Sequence, residues 1–336
     1  MKTLKTLAAL ALIATAPAFA QDKPVELRFA HWVPATHPLA RLGYEVWAKS
    51  VEQASGGSIK VTVYPAQQLG KAPDHYDMAR DGIADLTWVN PGYQAGRFPV
   101  FAAGELPFLV SKPGPASAGL DAWYRKYVGK EMPDVQFCFA HLHIGTLHSK
   151  KEINDPAQIK GMKIRPANGT VAALMSSLGA TNVQVSAPEA RDAIEKGVAD
   201  AITFPWQSII TFGVDKAVKF HADMRLYAAT FVWVINKPWY GKLSPAQKQV
   251  IDSHCTNEWA GKIGAAWGDD EDTGQAKLAA QGHTIVKLTP AQMDAWKKAA
   301  EPLYATWVAN ADKAGHSGKQ ALEELRKELA ARGASN

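Results

Sequence analysis

Apolar and polar residues alternate over residues 25–30 (Val-Glu-Leu-Arg-Phe-Ala), the period of a strand with one buried face. After His31-Trp32-Val-Pro34 the period lengthens: Leu39, Leu42, Val46, Trp47 and Val51 recur at helical spacing until Ser55-Gly-Gly57. Alternation returns over residues 59–64 and stops at Pro65. Beyond the loop Gln67-Gln-Leu-Gly70, a short helix is predicted over 74–81 and a third strand over 84–89, running into Asn90-Pro-Gly-Tyr93. A β-α-β-α-β order needs crossover helices, so it predicts a parallel sheet with helices on its faces.

The pattern then restarts. Residues 98–109 are apolar and proline-rich, a buried loop; 116–128 read as helix, and 135–144 as a strand carrying Cys138, His141 and His143. A short strand over 162–165 enters the turn Pro166-Ala-Asn-Gly169, and a helix follows from Thr170 with Val171, Leu174, Met175 and Leu178 on one face. A strand over 182–185, a helix over 188–196 and a strand over 199–204 complete the second unit, before Pro205-Trp206. Two such units in succession predict two α/β domains. Residues 228–236 form a strand long enough to return to the first. The remainder is mostly helix, over 244–268, 289–311 and 318–331. Ser244-Pro245 and Thr289-Pro290 each pair an N-cap with a proline at the first helical position. Without a flexible linker, a crossing made in strands predicts a hinge.

The ends change the setting. Lys2 and Lys5 precede a short apolar run and Ala18-Phe-Ala20, the pattern of an export signal cleaved near Ala20. No later apolar run is long enough to span a bilayer, so the mature chain is expected in the periplasm. Losing Lys2 and Lys5 takes the net charge from +5 to +3, and no Lys/Arg block exists to follow a phosphate backbone. Nucleic acid is therefore not an expected partner. In an oxidising compartment an even cysteine pair favours a bridge, here Cys138 with Cys255, over two buried thiols.

Enzyme signatures are missing: there is no HExxH, GxSxG, P-loop or GxGxxG opening a helix. His141 and His143 share a strand face, a spacing that can ligate metal, but nothing in the sequence completes a shell. Arg165 is more informative. A guanidinium at a strand's carboxyl end offers two parallel donors to a carboxylate, and the helix start beyond it adds amide groups and partial positive charge. Trp32, Trp88 and Phe204 lie at or beside the ends of predicted strands, with Asn90, Tyr93 and Trp206 just beyond. Ligands of open parallel sheets collect at that edge, so these residues predict a pocket with an apolar wall and few polar anchors.

An ordered set of short motifs then carries a resemblance over essentially the whole mature chain. It comprises Phe29-Ala-His-Trp32, Tyr64-Pro-Ala-Gln-Gln-Leu-Gly70, Asp81-Gly-Ile-Ala-Asp85, Pro91-Gly-Tyr93, Gly96-Arg-Phe-Pro99 and Glu105-Leu-Pro-Phe108. Lys160-Gly-Met-Lys-Ile-Arg165 with Asn168, Leu178-Gly-Ala180, Glu195-Lys-Gly-Val-Ala-Asp200 and Leu243-Ser-Pro-Ala-Gln247 follow. The chain resembles the solute-binding proteins of tripartite ATP-independent periplasmic (TRAP) transporters, in the dicarboxylate-binding branch.

The resemblance implies a two-domain α/β periplasmic binding protein fold with hinge strands and a long helix spanning both domains. Residues 22–143 plus about 233–273 would form one domain, and 144–232 plus about 274–330 the other. It implies hinge closure on a small organic acid, delivery to a TRAP membrane permease, and no cofactor. By the same resemblance Arg165 anchors the ligand carboxylate, Asn168 assists, and Trp32, Asn90, Tyr93 and Phe204 contact the ligand, with Trp206 close by. Relatives often carry Asn in place of Phe204 and Phe in place of Ala187, and sialic-acid binders place a second Arg near Gly145. Those departures favour a smaller carboxylate with an apolar or aromatic body. The rival readings are a periplasmic enzyme with a metal at His141 and His143, and a ligand sensor for a signalling receptor.

Overall fold

The computed structural model describes residues 22–336; the export signal expected over residues 1–20 lies outside them. Strands β1 (Val25–Ala30), β2 (Ile59–Tyr64), β3 (Leu86–Val89), β4 (Val135–Ser149), β5 (Lys163–Arg165), β6 (Thr181–Asn182), β7 (Ala201–Phe204), β8 (Phe220–Ala222), β9 (Tyr227–Asn236) and β10 (Thr284–Val286) join in one sheet. Its order is β2-β1-β3-β9-β4-β7-β5-β6, with β8 beside β4 and β10 beside β8.

The sheet is mixed where a parallel one was expected. β1 is parallel to β2 and β3, and β5 is parallel to β6 and β7, as crossover helices demand. Between those two parallel groups lie β9 and β4, antiparallel to each other and to the strands beside them. β4 is the joint between the halves: it pairs with β9 from Val135 to Gly145, then with β7 from Thr146 to Ser149. Both long strands are needed because the chain has to return from the second half to the first without a tether.

Helices α1 (Glu45–Ala54), α2 (His75–Arg80), α3 (Pro113–Tyr124) and α4 (Val128–Glu131) belong to the first half. α5 (Gly169–Ser177), α6 (Ala190–Glu195) and α7 (Trp206–Thr211) belong to the second. α8 (Lys237–Gly241), α9 (Pro245–His254), α10 (Asn257–Ala280), α11 (Pro290–Lys313) and α12 (Gly318–Ala331) complete the chain. α10 packs on α3 and β4 and, further along, on α7 and β10, so it lies across both halves. The helix expected over 244–268 is in fact two, broken at Cys255-Thr256. Cys255 is held there by a disulfide to Cys138 on β4, and Thr256 caps the new helix through Trp259 N. No helix among the described residues is long and apolar enough to cross a membrane.

The first helix departs from its expected face. Residues Leu39–Tyr44 wind as a π-helix, wider than an α-helix, before α1 begins. The wider turn rotates the buried stripe onto Leu39, Ala40, Gly43, Tyr44, Trp47, Ala48 and Val51. Leu42 and Val46, read as core, are instead 47% and 48% exposed.

Candidate functional site

Parallel strands on both sides of the joint end facing the same cleft. β1 delivers Trp32 beyond its end, β3 delivers Asn90 and Tyr93, β5 ends on Arg165 and β7 on Phe204. Because β9 runs antiparallel, its start lies at the same level and adds Tyr227, Ala229 and Phe231. These residues line a narrow cleft that has only about 30 Å³ of free space as the halves stand. A larger open groove lies at the outer border of the two halves, lined by Gly92, Glu105, Thr170 and Trp307.

The cavity wall is a packed aromatic stack. The Trp32 and Trp88 rings lie 4.2 Å apart and nearly parallel, and Trp88 stacks on Phe231 at 4.4 Å. Trp88 Nε1 donates to His141 Nε2 at 2.8 Å, which locks the indole. That bond uses the lone pair of the neutral ring at Nε2 and puts the proton on Nδ1, which leaves neither nitrogen a lone pair for a metal; burial lowers the His141 pKa to about 3. His143 stacks on Trp267 at 4.4 Å. Among the described residues no group of three His, Cys, Asp or Glu is placed to hold a metal.

Arg165 is 1% exposed. Its Nε donates to Val185 O at 2.9 Å, Nη1 to Thr203 O at 3.3 Å and Nη2 to Tyr93 Oη at 3.3 Å, with the Phe204 ring 5.4 Å from Cζ. Those bonds fix the plane of the guanidinium and leave one N–H on each terminal nitrogen without a protein acceptor among the described residues. No Asp or Glu carboxylate lies within 4.0 Å of it among the described residues. A buried cation held only by neutral partners carries a desolvation cost that an anion offsets. The Tyr93 hydroxyl accepts from Arg165 and from Ala187 N at 2.9 Å, so its own proton is left to donate elsewhere.

The two helix starts that face this region are already occupied. At α5, Asn168 caps the helix by accepting from Val171 N at 2.9 Å, while its Nδ2 donates to Ala228 O at 3.2 Å. Asn168 is thus spent on the backbone and does not line the cavity. Glu105, 2% exposed, meets the same helix start, its Oε2 accepting from Thr170 Oγ1 at 2.9 Å. At α7, the buried Glu271 of α10 accepts from Gln207 N, from Ser208 N at 3.1 Å, from Ser208 Oγ at 2.5 Å and from Trp267 Nε1 at 2.8 Å. Burial pushes both carboxyls up to about 7 despite these donors. The helix start expected to assist Arg165, that of α5, is therefore taken by Asn168 and Glu105, and that of α7 by Glu271.

Of the residues singled out from sequence, Trp32, Trp88, Asn90, Tyr93, Arg165 and Phe204 meet in the cavity wall. Asn168 and Trp206 do not: Trp206 packs edge-on to His148, 5.4 Å away, and lines a separate surface pocket. Sequence reading missed His37, Ser208, Phe212, Tyr227, Phe231 and Trp267, all in the wall. His37 Nδ1 accepts from Leu39 N at 3.2 Å, which leaves Nε2–H to donate to Ser208 Oγ, 3.2 Å away across the cleft. Ser208 passes its own proton to Glu271, so the polarity is the reverse of a nucleophile activated by a base. Tyr227 is 1% exposed, and its hydroxyl makes no well-formed hydrogen bond. It sits at the start of β9, paired with Gly145 on β4, a long-range register that no local pattern in the sequence signals.

A fold whose parallel strand ends converge on a cleft between two halves, with one buried arginine in its wall, is that of a solute-binding protein. The chain matches the bacterial extracellular solute-binding proteins, family 7 (DctP), over residues 29–310 and belongs to that family, the solute-binding proteins of TRAP transporters. It is 30% identical to a TRAP solute-binding protein from Rhodoferax ferrireducens solved with copurified benzoate, covering 92% of this chain and 98% of that one with a TM-score of 0.88. A marine metagenome TRAP solute-binding protein specific for aromatic acids, solved with 3-hydroxybenzoate, is 29% identical over 93% of this chain and 99% of its own, TM-score 0.88. A Bordetella bronchiseptica protein with bound (R)- and (S)-mandelate is 26% identical over 92% and 99%, TM-score 0.87.

Proposed function

We propose that this chain captures a small aromatic monocarboxylate between its two domains and delivers it from the periplasm to a TRAP permease. The observation that carries the reading is the buried Arg165 guanidinium, locked in plane, with two N–H groups unspent and no carboxylate partner among the described residues. A ligand carboxylate takes those two donors, and the Tyr93 hydroxyl supplies a third. The ligand ring lies against the stacked Trp32 and Trp88. A second carboxylate would find no second cation in the wall, since Arg165 is the one Lys or Arg that lines the cavity among the described residues. This separates the reading from a dicarboxylate receptor, and the aromatic acids bound by the three similar structures agree with it. The Ser208-His37 pair in the wall does not favour a catalytic reading, because His37 donates to Ser208 and Ser208 donates to Glu271.

The domain division that fits this role puts residues 22–143 with about 233–273 on one side and 144–232 with about 274–330 on the other, the ligand bridging both. The test is a thermal-shift screen of the mature chain against benzoate, 3-hydroxybenzoate, mandelate, succinate, malate and a set of sugars. Binding at one hundred times Kd stabilises by about 2.7 kcal/mol, an easily measured shift. Aromatic monocarboxylates are expected to raise the melting temperature and succinate to leave it unchanged. A shift with succinate or malate alone would overturn the ligand class, and a shift with sugars alone would overturn the anchor.

A further inference from the structure

We propose that Glu105 is a positioning residue for ligand capture: it fastens the first half of the molecule to the start of α5, behind the cavity, and Gly92 provides the clearance that lets it do so. The proposal rests on the reading that the chain works by closing over its ligand. Glu105 ends the short 3-10 turn Phe101–Glu105 of the first half. Its partners come from elsewhere: Thr170 Oγ1, in the first turn of α5, at 2.9 Å, and Thr230 Oγ1, on the joint strand β9, at 3.3 Å. No Lys, Arg or His lies within ion-pair distance of its carboxylate among the described residues. The groups that solvate it are hydroxyls and the amino end of α5, where a negative charge is stabilised. Thr170 follows Arg165 by five residues and Asn168 by two, so this contact sets the position of the segment that carries the anchor.

The loop after β3 shows how closely the halves approach. A Cβ added at Gly92 would run into Glu105 Oε1 and come within 2.5 Å of Asn168 Cβ, and a Cβ at Gly169 would sit 3.3 Å from that of Ala95. That loop also delivers Asn90 and Tyr93 to the cavity. Closing the seam therefore brings Tyr93 to Arg165 and Ala187, and opening it withdraws them together. The Glu105-Leu-Pro-Phe108 motif, which the ligand contacts leave unexplained, acquires a role.

The seam can be read without a ligand. Ala95→Cys with Gly169→Cys places two thiols close to disulfide geometry, where Cβ atoms are about 3.5–4.5 Å apart. The native cysteines are already bridged to each other. The rate at which the new bridge forms in ligand-free protein reports how often the halves meet. Adding Glu105→Ala is expected to slow bridging about tenfold, with Glu105→Gln intermediate, as the closed population falls. In the unbridged chain, Glu105→Ala and, independently, Gly92→Ala are expected to speed benzoate release about tenfold, with association within about twofold of wild type. Once the 95–169 bridge is formed, release from Glu105→Ala should return to the rate of the bridged parent. Unchanged bridging and unchanged benzoate release in Glu105→Ala would overturn the proposal. So would a lower melting temperature with bridging in the folded fraction unchanged, which marks a structural role only. Failure of wild type to bind benzoate counts against the ligand reading and leaves the bridging rate to decide the seam.

Discussion

Helices α5 and α7 both begin at the carboxyl end of a parallel strand in the second half, where an open α/β sheet receives anions. Each start is met by a buried glutamate, yet the two are held differently. Glu271 reaches α7 from α10, and α10 packs so closely there that a Cβ at Gly274 would strike the Gln207 backbone. That attachment supplies a helix that has no side-chain cap of its own. Glu105 reaches α5 from the turn Phe101–Glu105, at a helix already capped by Asn168. One attachment stands in for a cap and the other is added to one. The contrast teaches why this family member needs an arginine. One helix end is filled by Glu271 and the other by Asn168 and Glu105, so Arg165, without a carboxylate partner among the described residues, is what remains for a ligand.

The largest expected effect tests that remainder. Arg165→Ala should weaken benzoate binding by about 3–5 kcal/mol, roughly two to four decades in Kd by calorimetry, because the ligand carboxylate is left buried and unpaired. Arg165→Lys keeps the charge but loses the fork and should also bind weakly. Binding by Arg165→Ala within threefold of wild type would mean that a helix end, not the guanidinium, holds the acid. Next comes stability. Glu271→Ala orphans the donors at the start of α7 and should cost roughly 3 kcal/mol in urea unfolding, more than Glu105→Ala, whose helix keeps its Asn168 cap. Equal costs would erase the distinction between a helix start that has its own cap and one that does not.

A pH series sharpens it further. His31, His37, His141 and His148 are buried neutral with pKa values lowered from 6.5 to about 3. The unfolded chain binds their protons first, so their contribution is intact above 6.5 and lost as pH falls towards 3. Glu105 and Glu271 run the other way: raised from 4.5 to about 7, their contribution is present below 4.5 and lost as pH rises through 7. The histidines outnumber them, so the melting temperature should fall on the acid side of about 6.5. Glu271→Gln should make that limb steeper by removing one opposing proton. The smallest expected effect is at the cavity itself. Tyr227→Phe should weaken benzoate binding by about 1 kcal/mol, with the ligand-free melting temperature unchanged, if the free hydroxyl donates to the ligand.

Much of this was legible in the sequence, for a reason that also marks its limit. Strand ends are local signals, so Trp32, Asn90, Tyr93, Arg165 and Phe204 could be placed at one sheet edge from alternation and turn residues alone. Asn168 was read for its chemistry and turned out to act through its position, since an Asn just before a helix caps it. Tyr227, Phe231 and Trp267 were missed because they enter the cavity from the joint strand β9 and the crossing helix α10. Those elements reach the site only through long-range pairing that no local period records. Leu42 and Val46 failed differently: the π-helical turn over Leu39–Tyr44 rotates the buried stripe, and a template of fixed period cannot see it.

The neighbouring pair Gly145 and Tyr227 shows how one residue's size sets another's place. The tyrosine ring lies so close over the glycine that a Cβ at 145 would run into it. A side chain at 145 therefore displaces the Tyr227 ring from the cleft wall, so the bare backbone on β4 is what gives the hydroxyl its position.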